Sequence, residues 1–196
     1  MSTFLMKFIK RITCFLRHDS IKAGRRQHTY RYALTIVDVA SRYKEVEPLS
    51  TKTASEVASA FKQIYQRGPL QWPKLLQVDP GKEFLGAVSS LMNKHNVKIR
   101  QGHTEIHRDQ AIVERFNRTL AKRLFRYQYA KEISMNKMQA DTRSRYWVAR
   151  LPSVITALSK EVTRATSIKT SDAITKKIYA DKTSIYFSTS TRQCYS

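Results

Sequence analysis

Cysteine, glycine and proline are scarce in this chain of 196 residues. Its two cysteines, Cys14 and Cys194, exclude a disulfide framework and a cysteine-based zinc finger, and they favour a reducing compartment. Five glycines, five prolines and a hydrophobic content of 41% exclude a collagen-like or wholly disordered chain. The longest nearly continuous apolar stretch, residues 12–16, is far too short to span a bilayer, so no membrane partner is expected.

Acidic residues are also few, because 15 Asp and Glu face 36 Lys and Arg and leave a net charge of +21. Residues 115–150 hold ten basic and two acidic side chains, whereas residues 32–114 hold eleven and nine. An excess of this size indicates a polyanionic partner, usually nucleic acid, although a solubilising surface is the alternative. Basic flanks around a more acidic centre fit a nucleic-acid enzyme better than a purely structural binder.

In the first half of the chain, the spacing of apolar residues predicts strands and helices in alternation. Residues 32–39 are β-rich and mostly apolar, and the alternation in 43–49 predicts an antiparallel partner with one solvent-exposed face. Thr53 and Glu56 have the spacing of a capping box, so we predict a helix from there to Gly68. Further predicted elements are a strand at 74–78, a helix around 84–91 and a strand at 97–99.

A long helix is predicted in the second half, over residues 109–130. The polar segment 101–108 before it predicts a mobile loop, in which His103 and His107 are better explained as loop histidines than as metal ligands. The helix has an apolar face and a basic stripe, which are Ile112, Phe116, Leu120 and Leu124, and Arg115, Arg118, Lys122 and Arg126.

The end of the chain predicts one more helix over residues 147–158. From about residue 167 the pattern fades into a tail rich in Ser, Thr and Lys with weak β character. The order of the predicted elements favours an α/β fold, with a sheet between layers of helices.

Two acidic residues stand at positions suited to chemistry. Asp79 ends a buried strand, where α/β proteins place ligand sites, and Glu114 lies in the first turns of the long helix. Such a pair can converge on Mg²⁺ and support phosphodiester chemistry. Each residue also has a purely structural explanation, which is a turn cap for Asp79 and an ion pair with Arg118 for Glu114.

The residues near Glu114 on the long helix predict a DNA-binding surface. Asn117 and Arg118 lie three and four positions after Glu114 and so share its side of the helix. Together with Arg115 and Lys122 they could contact DNA phosphates. An unrelated RNA-binding protein is a further hypothesis, but the chain has no pattern of the RNP or KH type.

Three blocks of sequence, in this order, resemble the catalytic core of DDE integrases of the retrovirus-like superfamily. They are YRYALTIVDVASRY at 30–43, LQVDPGKEF at 76–84 and IHRDQAIVERFNRTL at 106–120. The predicted helix 147–158 also fits, and the resemblance covers about residues 13–177. It is closest to the integrases of Polinton, or Maverick, elements and related eukaryotic transposons.

This resemblance implies an RNase H-like fold, with a five-stranded mixed sheet flanked by helices. It implies an enzyme that processes the 3′ ends of an element's DNA and joins them to target DNA, using Mg²⁺ or Mn²⁺. Asp79 matches the second catalytic Asp and Glu114 the catalytic Glu, both as metal ligands, and residues 101–110 match the flexible active-site loop. The family also implies homo-oligomers and action in the nucleus.

The first catalytic Asp of the family has no match in this chain. We predict the first strand at about residues 10–16, and its register puts Ile12 where that Asp should be. Asp38 matches a non-catalytic position, and Asp19 lies past the predicted end of the strand, so both are weaker candidates for the third carboxylate. The chain is therefore either an integrase core or a catalytically dead, DNA-binding remnant with the same fold.

The domain organisation expected on this basis has three parts. Residues 1–12 form a degenerate or truncated N-terminal segment, residues 13–177 the integrase-like core, and residues 178–196 a basic tail rich in Ser and Thr. The basic, apolar start of the chain also leaves a targeting segment open as an alternative to a truncated first strand.

Overall fold

A computed structural model describes residues 6–10, 19–23, 26–101, 107–134 and 147–176 of the chain. Its strands are β1 (Met6–Lys10), β2 (Asp19–Ala23), β3 (Arg26–Tyr30), β4 (Tyr32–Asp38), β5 (Lys44–Leu49), β6 (Leu75–Val78) and β7 (Lys98–Gln101). Its helices are α1 (Ala54–Arg67), α2 (Ala87–Lys94), α3 (His107–Ser134), α4 (Leu151–Ser159) and α5 (Thr170–Thr175), with a 3-10 turn at Lys82–Phe84. The predicted α/β class is confirmed.

Five of the strands form one mixed sheet in the order β5-β4-β1-β6-β7, and β2 and β3 form a separate hairpin. β1 is the central strand, because it pairs antiparallel with β4 and parallel with β6. β7 continues the parallel half beyond β6, and β5 continues the antiparallel half beyond β4. The two outer strands are β5, which carries Pro48 opposite Ala33, and β7.

One face of the sheet packs against α1 and α2. Leu34 and Ile36 of β4 and Leu76 and Val78 of β6 alternate toward this face, as the two-residue period of a strand requires. The helices cover them with fully buried residues, which are Val57, Phe61 and Ile64 of α1 and Val88 and Met92 of α2.

The opposite face of the sheet packs against α3 and α4. Ala33 and Val37 of β4 and Val46 of β5 belong to this second core, together with Trp147, which is fully buried. The helices contribute Val113, Phe116, Leu120 and Leu124 of α3 and Leu151, Ile155 and Leu158 of α4. Ile112, predicted as core, is only half-buried, and Val113 takes the inward position.

Both faces of β5 are covered by helices, so the predicted solvent-exposed face is wrong. Glu45 is buried, and together with Glu47 it forms an ion pair with Arg67 of α1 at 2.9 Å. On the other face Lys44 is half-buried beside the ring of Phe116. An ion pair with a neighbouring helix lets a strand keep charged side chains on a covered face.

The start of α1 differs from the predicted capping box. Thr53 is the N-cap residue, but its side chain makes no capping hydrogen bond. The carboxylate of Glu56 accepts hydrogen bonds from the backbone N–H groups of Ser50 and Thr51, at 2.6 and 2.7 Å, and from the Thr51 hydroxyl. Glu56 therefore fixes the turn before the helix instead of the N-cap residue itself.

Three further boundaries correct the prediction. β1 lies at Met6–Lys10 and ends where the predicted strand 10–16 begins, so the sheet begins earlier than residue 13. α3 begins at His107 and includes residues that we predicted as loop. The short helix α5 lies within the region from residue 167 for which weak β character was expected, and its Ala173 is fully buried.

Candidate nucleic-acid interface

The exposed side of α3 carries the predicted basic stripe. Its members are Arg115, Arg118, Lys122 and Arg126, and all four are exposed. They lie within roughly 80° of the helix circumference at about 100° per residue, opposite the face that enters the core. From the first to the last the stripe extends about 17 Å, at about 1.5 Å per residue. Arg123 lies outside it and pairs with Glu161.

Positive charge continues from the stripe onto the turn between β4 and β5. Burial lowers the pKa of Arg42, and Arg115 lowers it further, whereas Asp38 acts in the opposite direction. Burial also lowers the pKa of Lys44, and there Glu161 raises it and Arg42 lowers it. Burial is the main cause of both shifts, and the repulsion between Arg42 and Arg115 and between Lys44 and Arg42 adds to it, so an anion bound nearby would be attracted to these cations.

The structure places Asp79 on the face of the sheet that α3 covers. Leu76 and Val78 belong to the opposite core, so the alternation of β6 directs Gln77 and then Asp79 toward the α3 side. Asp79 is half-buried, and Glu114 is exposed on α3, next to the buried Val113. The two predicted carboxylates therefore lie on the same side of the sheet.

Asp38 lies at the other end of the sheet. Lys7 of β1 is paired both with Asp38 and with Leu76, and Asp79 follows Leu76 by three residues. With about 4.8 Å between strands and about 3.3 Å per residue, the backbones of Asp38 and Asp79 are roughly 14 Å apart. Two cooperating metal ions lie only about 3.5–4 Å apart, so Asp38 and Asp79 do not form one site of that kind.

Asp38 has a structural role in the turn after β4. Its Oδ2 accepts hydrogen bonds from the backbone N–H of Ser41 at 3.1 Å and from the Ser41 hydroxyl at 2.5 Å. The backbone N–H of Asp38 donates a hydrogen bond to the carbonyl of Tyr43, and the carbonyl of Asp38 accepts one from the N–H of Arg42. Arg42 adopts a positive φ of 61°. Asp38 is 1% exposed, and its Oδ1 accepts no hydrogen bond from the described residues.

The other predicted positions for a third carboxylate are only partly described. Ile12 lies outside the described residues. The backbone of Asp19 begins β2, in the separate hairpin. Continuing the pairing of β1 with β6 past Phe8 sets the backbone of Lys10 beside that of Asp79. Among the described parts of β1, this position on the central strand carries a lysine.

Asn117, Asp79 and Glu114 carry the side-chain oxygens to consider as metal ligands. Asn117 is half-buried, and its Oδ1 accepts no hydrogen bond from the described residues. In the described part of the chain, no three His, Cys, Asp or Glu side chains lie close enough together to hold a metal ion. Mg²⁺ is commonly held by one or two carboxylates plus substrate phosphates, so the chemistry of Asp79 and Glu114 fits an ion that DNA helps to bind.

Two features of the surface escaped the sequence analysis. Lys44 has the same strand period as Val46, which could have placed it beside α3. A groove between α1 and α2 contains Trp72 and His95, and their proximity depends on packing between distant segments.

No helix in the described ranges is long and apolar enough to cross a membrane.

Among curated proteins, the chain is similar to an uncharacterized transposon-derived protein of Caenorhabditis elegans. The two are 36% identical over 101 residues, which cover 51% of this chain and 34% of the relative. The matched part is therefore about a third of the relative's length. No family model matches the chain.

Solved structures of retroviral integrase cores are similar to the chain over most of its length. The catalytic core domain of BIV integrase aligns with a TM-score of 0.56 and 19% identity, covering 87% of this chain and 94% of that one. The HTLV-2 integrase catalytic core domain, in complex with magnesium and in a trimeric form, aligns with a TM-score of 0.58 and 16% identity, covering 86% and 95%. The chain has the integrase catalytic core fold, which is RNase H-like.

Proposed function

We propose that the chain is a DNA-binding protein derived from the integrase of a transposable element, and that the basic stripe of α3 is its main contact with duplex DNA. The integrase core fold and the transposon-derived relative support an origin of this kind. The net charge of +21 supports a polyanionic partner.

The single observation that carries this proposal is the exposure of all four stripe residues while the opposite side of α3 is buried. A stripe of about 17 Å corresponds to about five base pairs at about 3.4 Å each. Lys and Arg side chains spaced in this way can neutralise successive phosphates and release their counterions. The neighbouring Arg42 and Lys44 add to the same positive potential.

A salt titration of DNA binding tests the stripe. We expect the double variant Arg118→Gln/Lys122→Gln to weaken binding of a labelled 20-base-pair duplex, measured by fluorescence anisotropy. Because each lost phosphate contact reduces the slope of log K against log salt by about 0.9, the slope should fall by about 1.8. The matched control Lys160→Gln/Lys176→Gln removes two exposed charges outside the stripe and should leave the slope nearly unchanged. Equal losses in the two variants would contradict a specific role for α3.

A second candidate function is DNA end processing and strand transfer, the reaction that the resemblance implies. The placement of Asp79 on the α3 side of the sheet and of Glu114 on α3 favours it. These residues would hold Mg²⁺ or Mn²⁺, which would polarise the scissile phosphate and the attacking oxygen. The chain's own contribution would be to orient the phosphate backbone along Arg115 and Arg118.

Cleavage assays separate the two candidates. Labelled DNA ends are incubated with Mg²⁺ or Mn²⁺ and with the unmodified chain, Glu114→Gln, Ile12→Asp or Lys10→Asp, because continued strand pairing sets Lys10 beside Asp79. Activity in the unmodified chain that Glu114→Gln abolishes would establish the enzyme. Activity only in Ile12→Asp or only in Lys10→Asp would identify a dead core and the position of its missing carboxylate. Silence in all four would contradict end processing by this chain.

The finer aspects of this proposal concern origin, location and assembly. We propose descent from a Polinton-type integrase, action in the nucleus and a homo-oligomeric state. The sequence blocks at 30–43 and 106–120 support the first, and the trimeric HTLV-2 core is a precedent for the last. The respective tests are preference for Polinton terminal repeats over unrelated duplex, the location of a fluorescently tagged chain, and sedimentation. Equal binding to both duplexes, exclusion from the nucleus or a monomer would refute the corresponding aspect.

A further inference from the structure

A groove of about 740 Å³ lies between α1 and α2, on the side of the sheet opposite α3. Ala58 and Leu91 form its buried floor, and Trp72 closes one side. A groove of this volume is within the usual range for small-ligand sites. It is lined by segments that the DNA-binding proposal for α3 does not use.

Three rings lie one against the next at this groove. The centroids of Tyr65 and Trp72 are 4.2 Å apart with their planes tilted by 33°, and those of Trp72 and His95 are 3.7 Å apart with their planes stacked within 5°. Tyr65 is buried at the inner end, Trp72 is half-buried, and His95 is exposed at the outer end. The stack therefore ends in an aromatic ring that another flat group can cover.

The groove is positively charged as well as aromatic. Lys62 of α1 and Lys94 of α2 line it from the two helices, and no Asp or Glu is among its lining residues. Ser90 also lines it, and its hydroxyl can donate a hydrogen bond to a phosphate oxygen, whereas the hydroxyls of Ser55 and Ser59 donate to Thr53 and to the backbone carbonyl of Ser55. Both lysines are exposed, so an anion can reach them without a rearrangement of the fold.

We propose that this groove binds single-stranded DNA, with a base stacked on His95 and the backbone phosphates held by Lys62 and Lys94. A positive groove that follows the backbone, combined with aromatic rings that stack the bases, is the arrangement by which single strands are bound without sequence preference. An acidic peptide would match the lysines but would leave the end of the ring stack uncovered. The site is separate from the stripe of α3, since the two lie on opposite faces of the sheet.

Anisotropy of a labelled 12-nucleotide oligothymidine tests the stacking. Because base–aromatic stacking contributes about 1–3 kcal/mol per base, we expect His95→Ala to weaken binding by at least about fivefold. His95→Phe keeps a ring at the end of the stack and should retain most of the affinity. An equal loss in both variants would overturn the stacking role of this residue.

A salt titration with the same oligonucleotide tests the phosphate contacts. Since each contact to a single strand accounts for about 0.7 of the slope, Lys62→Gln/Lys94→Gln should reduce the slope by about 1.4. The control pair Lys160→Gln/Lys176→Gln should leave it nearly unchanged. Full competition by a glutamate-rich peptide, or a groove buried in a dimer and inaccessible to the oligonucleotide, would overturn the proposal.

Duplex DNA distinguishes this proposal from that for α3. Variants of the groove should weaken single-strand binding while duplex binding stays within about twofold, whereas Arg118→Gln/Lys122→Gln should do most of its damage on the duplex. Loss of duplex binding in the groove variants would refute a separate single-strand site. Retained duplex binding in the α3 variant would refute the role of the basic stripe in duplex binding and would leave the proposal for the groove intact.

Discussion

Two aspartates that each follow a valine at the end of a buried strand have very different surroundings. Asp38 ends β4 and is 1% exposed, with Ser41 donating two hydrogen bonds to one carboxylate oxygen. Asp79 follows β6, is half-buried and lies on the side of the sheet that α3 covers. One carboxylate holds a turn together, and the other is only half-buried at the carboxyl end of a parallel strand.

The direction of strand pairing separates these two residues. β4 runs antiparallel to the central strand and β6 runs parallel to it, so their C-terminal ends emerge at opposite ends of the sheet. In open α/β sheets, ligands bind beyond the carboxyl ends of the parallel strands. This rule favours Asp79, at the carboxyl end of a strand with parallel neighbours, over Asp38 as a candidate ligand.

Of the two aspartates, Asp38 should show the larger loss of stability when it is replaced. Asp38→Ala leaves the N–H and hydroxyl of Ser41 without their acceptor in a buried turn, so unfolding should become about 3 kcal/mol easier. Asp79→Ala should cost less than about 1 kcal/mol, because the site is half-buried. Urea denaturation at neutral pH measures both.

Ser41→Ala is the control for the hydrogen bonds at this turn. It removes the hydroxyl donor and keeps the backbone donor, so it should cost about half as much as Asp38→Ala. A loss in Asp79→Ala as large as that in Asp38→Ala would contradict the division between a structural and a ligand-facing carboxylate.

Glu56 tests whether burial or the number of hydrogen bonds determines how much such a carboxylate stabilises the fold. Its carboxylate also holds a turn through Ser50 and Thr51, but it is half-buried. We expect Glu56→Ala to lower the free energy of unfolding by about 1–2 kcal/mol, which is less than the loss at Asp38. Thr53→Ala should cost under about 0.5 kcal/mol, since the Thr53 side chain makes no capping bond. If thermal denaturation showed a larger loss for Thr53→Ala than for Glu56→Ala, the predicted capping box would be supported instead.

Lys44, which pairs with Val37 beside Asp38, also gives a small expected effect. Burial lowers its pKa in the folded chain, so at alkaline pH the unfolded chain binds more protons and stability rises as the pH increases. The rise falls between the lowered pKa and the usual value for lysine. Lys44→Met should abolish this rise and stabilise the protein by less than about 1 kcal/mol at neutral pH, because Lys44 is partly solvated. Denaturation at neutral pH and across the alkaline range measures both effects, and an unchanged alkaline slope would contradict this assignment.

The elements that the sequence predicted well have strong local signals. The positions of β4, α1 and β6 followed from their apolar periods and from Gly68 at the end of the helix, where φ is 65°. The basic stripe followed from helical spacing alone, because α3 is long and its inward face is regular.

The elements that were mispredicted depend on contacts between distant segments. Residues 6–16 are mostly basic or apolar and contain no Gly, Pro, Asn or Asp, so the sequence alone sets no limits for β1, which pairs with β4 and β6. In α5, the buried Thr170 and Ala173 stabilise a helix within a sequence rich in Ser, Thr and Lys. The direction of strand pairing likewise separates Asp38 from Asp79, and the spacing of apolar residues along the sequence does not contain it.

The two outer strands of the sheet affect how copies of the chain can associate. An open sheet edge is a template on which the strand of another molecule can add, and this is a common route to fibres. Here Pro48 removes a donor from β5, and β7 is four residues long with exposed Lys98 and Arg100. Proline, short length and like charges each oppose strand addition, so this sheet resists edge-to-edge polymerisation.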